Sequence, residues 1–210
     1  MKQLNQFINE YIVNKKLDKP IDSEDHYEYF PKTKNELIEN IKKLLDNKIY
    51  DFNCINTSEI TDMSELFYKG IFSNIKFNVS KWDVSNVKSM RNMFKGCEFF
   101  NCDLSKWDVS NVEDMSNMFY GCAYFAGKGL DKWDVSNVKY IARMFTNCLN
   151  FNCNFSNWNI HNVRSTFGLF WNCGNFTGKG LENWNVSNVI NMRDMFDGCT
   201  SLKNKPSWYK

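Results

Sequence analysis

The chain has 210 residues, with 26 Lys+Arg against 24 Asp+Glu and a formal net charge of +2. That balance implies no nucleic-acid partner, and no apolar run approaches the roughly 18–20 residues of a membrane span, so no membrane insertion is expected. The length suits one sizeable domain, or a repeat array with caps.

In chain order, residues 1–50 are not repetitive and predict an N-terminal helical cap. Leu4, Phe7, Ile8, Tyr11 and Ile12 make the stripe of one amphipathic helix. Thr33-x-x-Glu36 is a capping box that opens a second, with Leu37, Ile38, Ile41, Leu44 and Leu45 on its apolar side. Between them DKPIDSEDHYEYFPK reads as a polar connection. The first residues carry Asn5, Asn9 and Glu10 among their apolar positions and lack the core and cleavage site of a signal peptide. The expected location is therefore cytoplasmic as written, or cell-surface or secreted if a signal has been removed or export is non-classical.

Residues 51–210 predict a solenoid of about six repeats of 25–27 residues. WDVSNVKSMRNMFKGC at 82–97 returns at 107–122 and 133–148, and more loosely at 158–173 and 184–199. Trp82, Trp107, Trp133, Trp158 and Trp184 are spaced by 25, 26, 25 and 26 residues, and Ile55 takes the Trp position in a degenerate first unit, INTSEITDMSELF. Leu104, Trp107 and Val109 have the L-x-x-L-x-L spacing of a short solenoid strand, with Lys106 and Asp108 facing out. Met118, Phe119 and Cys122 then follow at helical spacing. Asp114, with Ser89, Ser165 and Asn191, stands at the expected helix N-cap. Gly96, Gly121, Asn147, Asn172 and Gly198 stand at its left-handed end. One such unit cannot bury its own apolar face, and stacked copies can. The expected fold class is thus an α/β repeat: a leucine-rich-repeat-like right-handed solenoid, with one short parallel strand plus a short helical turn per repeat. At the far end Pro206–Lys210 stops where the next Trp strand would begin, leaving a thin cap.

Cys97, Cys122, Cys148, Cys173 and Cys199 occupy one repeat position, and Cys102 and Cys153 a second. With no CxxC pair, these columns read as small, buried, reduced residues rather than zinc ligands. The AGKG and TGKG loops lack the rest of a phosphate loop and read as turns.

The phrases WDVSNVxxMxxMFxGC and INTSEITDMSELF resemble the 25–26-residue bacterial surface-protein repeat of the BspA-like leucine-rich repeat family, over roughly residues 33 to 205. The resemblance implies a leucine-rich-repeat-like solenoid, frequent on bacterial surfaces, used in binding and adhesion rather than catalysis. The chain departs from that family in showing no export signal.

His26 and His161 have no nucleophile at a recognisable spacing, so no enzyme, metal site or cofactor is expected. Two outward columns, Lys81, Lys106 and Lys132 before the Trp and Asp83, Asp108 and Asp134 after it, are expected to neutralise each other. Functionally, the sequence points to a protein-binding module with an unknown protein partner and unknown oligomeric state. The alternative is a structural module that self-associates through its thinly capped C-terminal end. The candidate binding residues are Tyr120, Tyr124, Tyr140 and Trp171, aromatic where sister repeats carry other residue types. A second reading has these rings covering neighbouring apolar surface.

Overall fold

The computed structural model describes residues 27–68 and 70–210. The first expected helix and His26 lie outside these residues. The second forms as α1 (Lys34–Asp46), its first turn closed by Thr33, whose hydroxyl accepts from the Glu36 N–H at 3.2 Å. Leu37, Ile41 and Leu44 are buried against the first repeat, and Lys34 reaches Asp62 at 3.0 Å and Ser64 at 2.8 Å. Among the described residues the contact at this end of the repeats is made by α1.

The repeats do stack, but not as an α/β solenoid. Among the described residues α1 is the one α-helix, joined by short 3-10 turns at Gly70–Ser73, Leu130–Lys132 and Leu181–Asn183, and there is no sheet. Parallel pairing is confined to isolated bridges such as Asp62↔Ser89, Ser89↔Asp114 and Asp114↔Tyr140.

The backbone explains why. Each coil is a succession of three-residue turns. Trp107 donates to the Leu104 carbonyl at 3.1 Å, Val112 to Val109 at 2.9 Å, Met118 to Met115 at 3.1 Å, Cys122 to Phe119 at 2.9 Å and Phe125 to Cys122 at 3.0 Å. A chain that closes every three residues cannot run as an extended strand. Nor can it continue as a helix, because each full repeat has two left-handed residues four apart, such as Asn117 at φ 54° and Gly121 at φ 75°. Asp114 therefore caps no helix. Its carboxylate accepts from the Ser116 N–H at 2.8 Å and closes a side-chain turn.

Along one side of each coil the backbone bonds run forward to the next. Met115, Asn117, Phe119 and Gly121 N–H donate to the carbonyls of Tyr140, Ala142, Met144 and Thr146 in the next coil, at 2.8 to 3.0 Å. In the last coil the equivalent donors, Met192, Asp194, Phe196 and Gly198, have no acceptor among the described residues.

The interior is a set of aromatic columns. Phe67, Phe94, Phe119, Phe145, Phe170 and Phe196 stack within 9° of parallel at 5.4 to 5.9 Å. A second column, Phe100, Phe125, Phe151 and Phe176, packs beside it at 4.0 to 4.2 Å. Trp107 and Trp133 stack at 6.3 Å and 1°, as the register requires. Trp208 continues the column on Trp184 at 6.2 Å, and Tyr209 lies against Phe196 at 4.9 Å, so the last turn covers part of the exposed end.

Candidate functional site

Three polar ladders hold the coils in register. Each column indole donates to a carbonyl of the preceding coil, from Trp82 on Phe52 at 2.9 Å, through Trp133 on Leu104 at 3.1 Å, to Trp208 on Leu181 at 2.8 Å. The turn asparagines Asn86, Asn111, Asn137, Asn162 and Asn188 donate to preceding-coil carbonyls at 2.6 to 2.8 Å. The third ladder is sulfur: Cys97, Cys122, Cys148, Cys173 and Cys199 lie 2.9 to 3.3 Å from the carbonyls of Phe67, Phe94, Phe119, Phe145 and Phe170. All five thiols are free and buried. Burial pushes Cys97 up to about 12 and Cys199 to about 11, and it holds Cys122, Cys148 and Cys173 well above the ordinary value. They are structural donors.

The Lys/Asp columns do not pair as expected. Asp83, Asp108 and Asp134 each accept from the N–H two residues on, Ser85, Ser110 and Ser136, at 3.0 Å. Asn159 and Asn185 do the same for His161 and Ser187. The Asp-to-Asn change thus preserves a turn acceptor and needs no charge partner. The ion pairs among the described residues lie elsewhere, at Lys34–Asp62, Lys128–Asp103, Lys139–Glu113 and Arg193–Asp194.

His161 sits in this turn, Nδ1 3.1 Å from Asn159 Oδ1, and its carbonyl accepts from Asn188. Among the described residues no group of three or more His, Cys, Asp or Glu side chains could hold a metal ion. The GKG segments are turns. Gly129 has φ 92°, and a Cβ there would stand 2.2 Å from the Ser105 nitrogen.

The candidate binding residues fall into separate places. Tyr120 is half-buried, with Lys95 Nζ 5.2 Å above its ring. Tyr124 is exposed and stacks on Phe99 at 5.1 Å. Tyr140 and Trp171 are 56% and 42% exposed, and no ring contact joins any of the four to another among the described residues. Tyr140 and Trp171 do belong to adjacent coils, on the side where backbone bonds run forward from coil to coil. Trp171 accepts at its carbonyl from Asn147, in the coil that carries Tyr140.

Sequence reasoning missed two features of that flank. Arg143 lies over the Phe167 ring at 4.6 Å, with Arg193 on the same ring at 5.0 Å. Arg143 stands where sister repeats have Asn92 and Asn117, a column at φ of about 55°, so the deviation was visible but carried no recognised meaning.

The family described as "Mycoplasma protein of unknown function, DUF285" matches residues 34–129 and again 107–209. The chain belongs to this DUF285 family. The two matches share residues 107–129, as a match sliding along a periodic DUF285 chain would. No curated protein and no solved structure matches the chain. No helix among the described residues is long and apolar enough to cross a membrane.

Proposed function

We propose that this DUF285 chain is a non-enzymatic protein-binding module, its interior given over to holding coils in register and one flank presented to a partner. The observation that carries this reading is the exposure of Tyr140 and Trp171, at 56% and 42%, where sister coils hold Ser, Asp or Asn at the first position and Lys, Tyr, Thr or Asp at the second. Folding accepts small or polar residues at both positions, and tyrosine and tryptophan are the residues that dominate interface hot spots. The resemblance to BspA-like repeats supports the same reading, with binding or adhesion as its biological form.

The test is affinity capture with the full chain beside a Trp171→Ala/Tyr140→Ser variant. A partner retained by the first and lost from the second, with melting temperatures within a few degrees, is the expected result. A partner retained equally by both would remove this flank from the function.

A second reading, self-association through the last coil, rests on Val186, Val189 and Met192 being half-exposed and Ile190 84% exposed. Two such ends meeting face to face would set the Met192, Asp194, Phe196 and Gly198 donors against donors, so the backbone offers no complement. Sedimentation at several concentrations separates the readings: growth of mass with concentration favours the second.

A further inference from the structure

The ladder between coils is broken at one seam. At the other seams the residue after the bridge corner donates forward, as Met90 does to Asp114, Met115 to Tyr140 and Thr166 to Asn191. The residue before the corner donates backward, as Lys88 does to Thr61, Glu113 to Lys88, Lys139 to Glu113 and Ile190 to Arg164. Between Tyr140 and Ser165 both bonds and the bridge are missing, which leaves the Ile141 and Arg164 N–H and the Lys139 and Ser165 carbonyls without backbone partners among the described residues. The cause is local. Asp62, Ser89, Asp114, Ser165 and Asn191 tie their corner with a side-chain oxygen that accepts from the N–H two residues on. Tyr140 has no oxygen that can make this turn.

Other unspent polar groups collect at the same seam. Thr166 is 1% exposed and its Oγ1 has no hydrogen-bond partner among the described residues; Arg143 Nε is likewise buried and unpartnered among them. Gly168 admits the Arg143 side chain, since a Cβ there would lie 3.2 Å from Arg143 Cγ. The chain on either side of this seam is also one-signed. Residues 135–181 contain no Asp or Glu, but carry Lys139, Arg143, Arg164 and Lys179. Lys139 is paired with Glu113 at 2.7 Å, while Arg143 and Arg164 have no carboxylate partner among the described residues.

We propose that the surface over this unpaired seam, beside Tyr140, receives an extended acidic segment of a protein partner. Its carboxylates meet the guanidinium groups of Arg143 and Arg164, planar donors suited to paired carboxylate contact. An apolar side chain of the segment rests on the exposed ring of Trp171 or Tyr140. This inference rests on the binding-module reading and gives that partner its chemistry.

The experiment is selection of displayed random short peptides on the full chain, followed by binding of the selected peptides to Arg164→Gln and Trp171→Ala variants. Both changes are at exposed positions, so the melting temperature checks that the fold is intact. The expected outcome is enrichment of Asp- and Glu-containing peptides. Affinity should fall about tenfold in Arg164→Gln and about 30-fold in Trp171→Ala, and it should weaken as salt rises. Lys106→Ala, on another side of the coil, leaves binding unchanged. Neutral or basic peptides, no selected peptide at all, or affinities indifferent to Arg164 and Trp171 overturn the seam assignment. So does selection of this chain's own sequences, which assigns the seam to a second copy. Peptides that bind but map elsewhere sink the seam and leave the binding-module reading standing. That reading fails separately, if affinity capture retains no specific partner.

Discussion

Cys148 Sγ lies 2.9 Å from the carbonyl oxygen of Phe119, one coil back, and that same oxygen accepts the Cys122 N–H at 2.9 Å. The thiol is thus the second donor on a turn carbonyl, and the arrangement repeats through the column. A weak donor placed this way adds register more than energy. Cys148→Ala should cost about 1–2 kcal/mol, from a small cavity plus the lost contact. Urea unfolding measures it, and a loss above that range would mean the thiol carries more of the ladder than its chemistry allows.

The column also sets an alkaline limit. Burial raises Cys97 to about 12 and Cys199 to about 11 from the ordinary 9.0. The neutral thiols therefore stabilise the fold fully below pH 9, and this contribution is lost as pH rises from 9 through the folded values. Each column thiol adds a slope of about 1.4 kcal/mol per pH unit in that window. Stability measured from pH 8 to 10.5 should fall steeply, and less steeply in Cys148→Ala. Equal slopes in the two proteins would contradict the assignment.

Outside the column, Asp108 acts as a turn acceptor for the Ser110 N–H, and the Ser110 side chain first and then this N–H hold its carboxyl below the usual range. Asp108→Asn should change stability by less than about 0.5 kcal/mol, while Asp108→Ala should cost about 1 kcal/mol. Lys106→Ala should be nearly neutral in wild type and in Asp108→Asn alike. A double-mutant cycle checks this; appreciable coupling would restore the ion-pair reading.

Two glycines separate conformation from space. Gly96 (φ 80°) has nothing within 4 Å of an added Cβ, whereas at Gly129 (φ 92°) that atom would meet the Ser105 backbone. Gly96→Ala should cost about 1–2 kcal/mol, the left-handed penalty alone. Gly129→Ala should cost several kcal/mol or prevent folding, since the Leu104–Lys128 bond at 3.1 Å depends on that close approach. Thermal denaturation of the pair decides it.

The repeat period, the inward residues, the capping helix and the left-handed glycines and asparagines were all legible in the sequence. The regular elements were misread for a specific reason. Leu104–Trp107, Val109–Val112, Met115–Met118 and Phe119–Cys122–Phe125 are spaced by three, the period of a closed turn, which imitates a solenoid strand at one end and a helix at the other. Asp114 misled similarly, because a helix N-cap and a side-chain turn ask for the same residues. The indole and thiol ladders have no local signature, since their acceptors are backbone carbonyls 27 to 30 residues away. Tyr140 and Trp171 were visible as departures from the repeat, but the broken seam between Tyr140 and Ser165 exists only once the coils are stacked.

Hydrogen exchange of the indole N–H groups tests the whole arrangement in one NMR experiment. The chain has seven tryptophans: Trp82, Trp107, Trp133, Trp158, Trp184 and Trp208 donate into the ladder, while Trp171 faces solvent on the candidate flank. Strong protection of the five fully buried column indoles, intermediate protection of Trp208 and free exchange at Trp171 is the predicted result. Rapid exchange along the column, or a Trp171 as protected as its namesakes, would contradict the stacked-coil account and the outward flank with it.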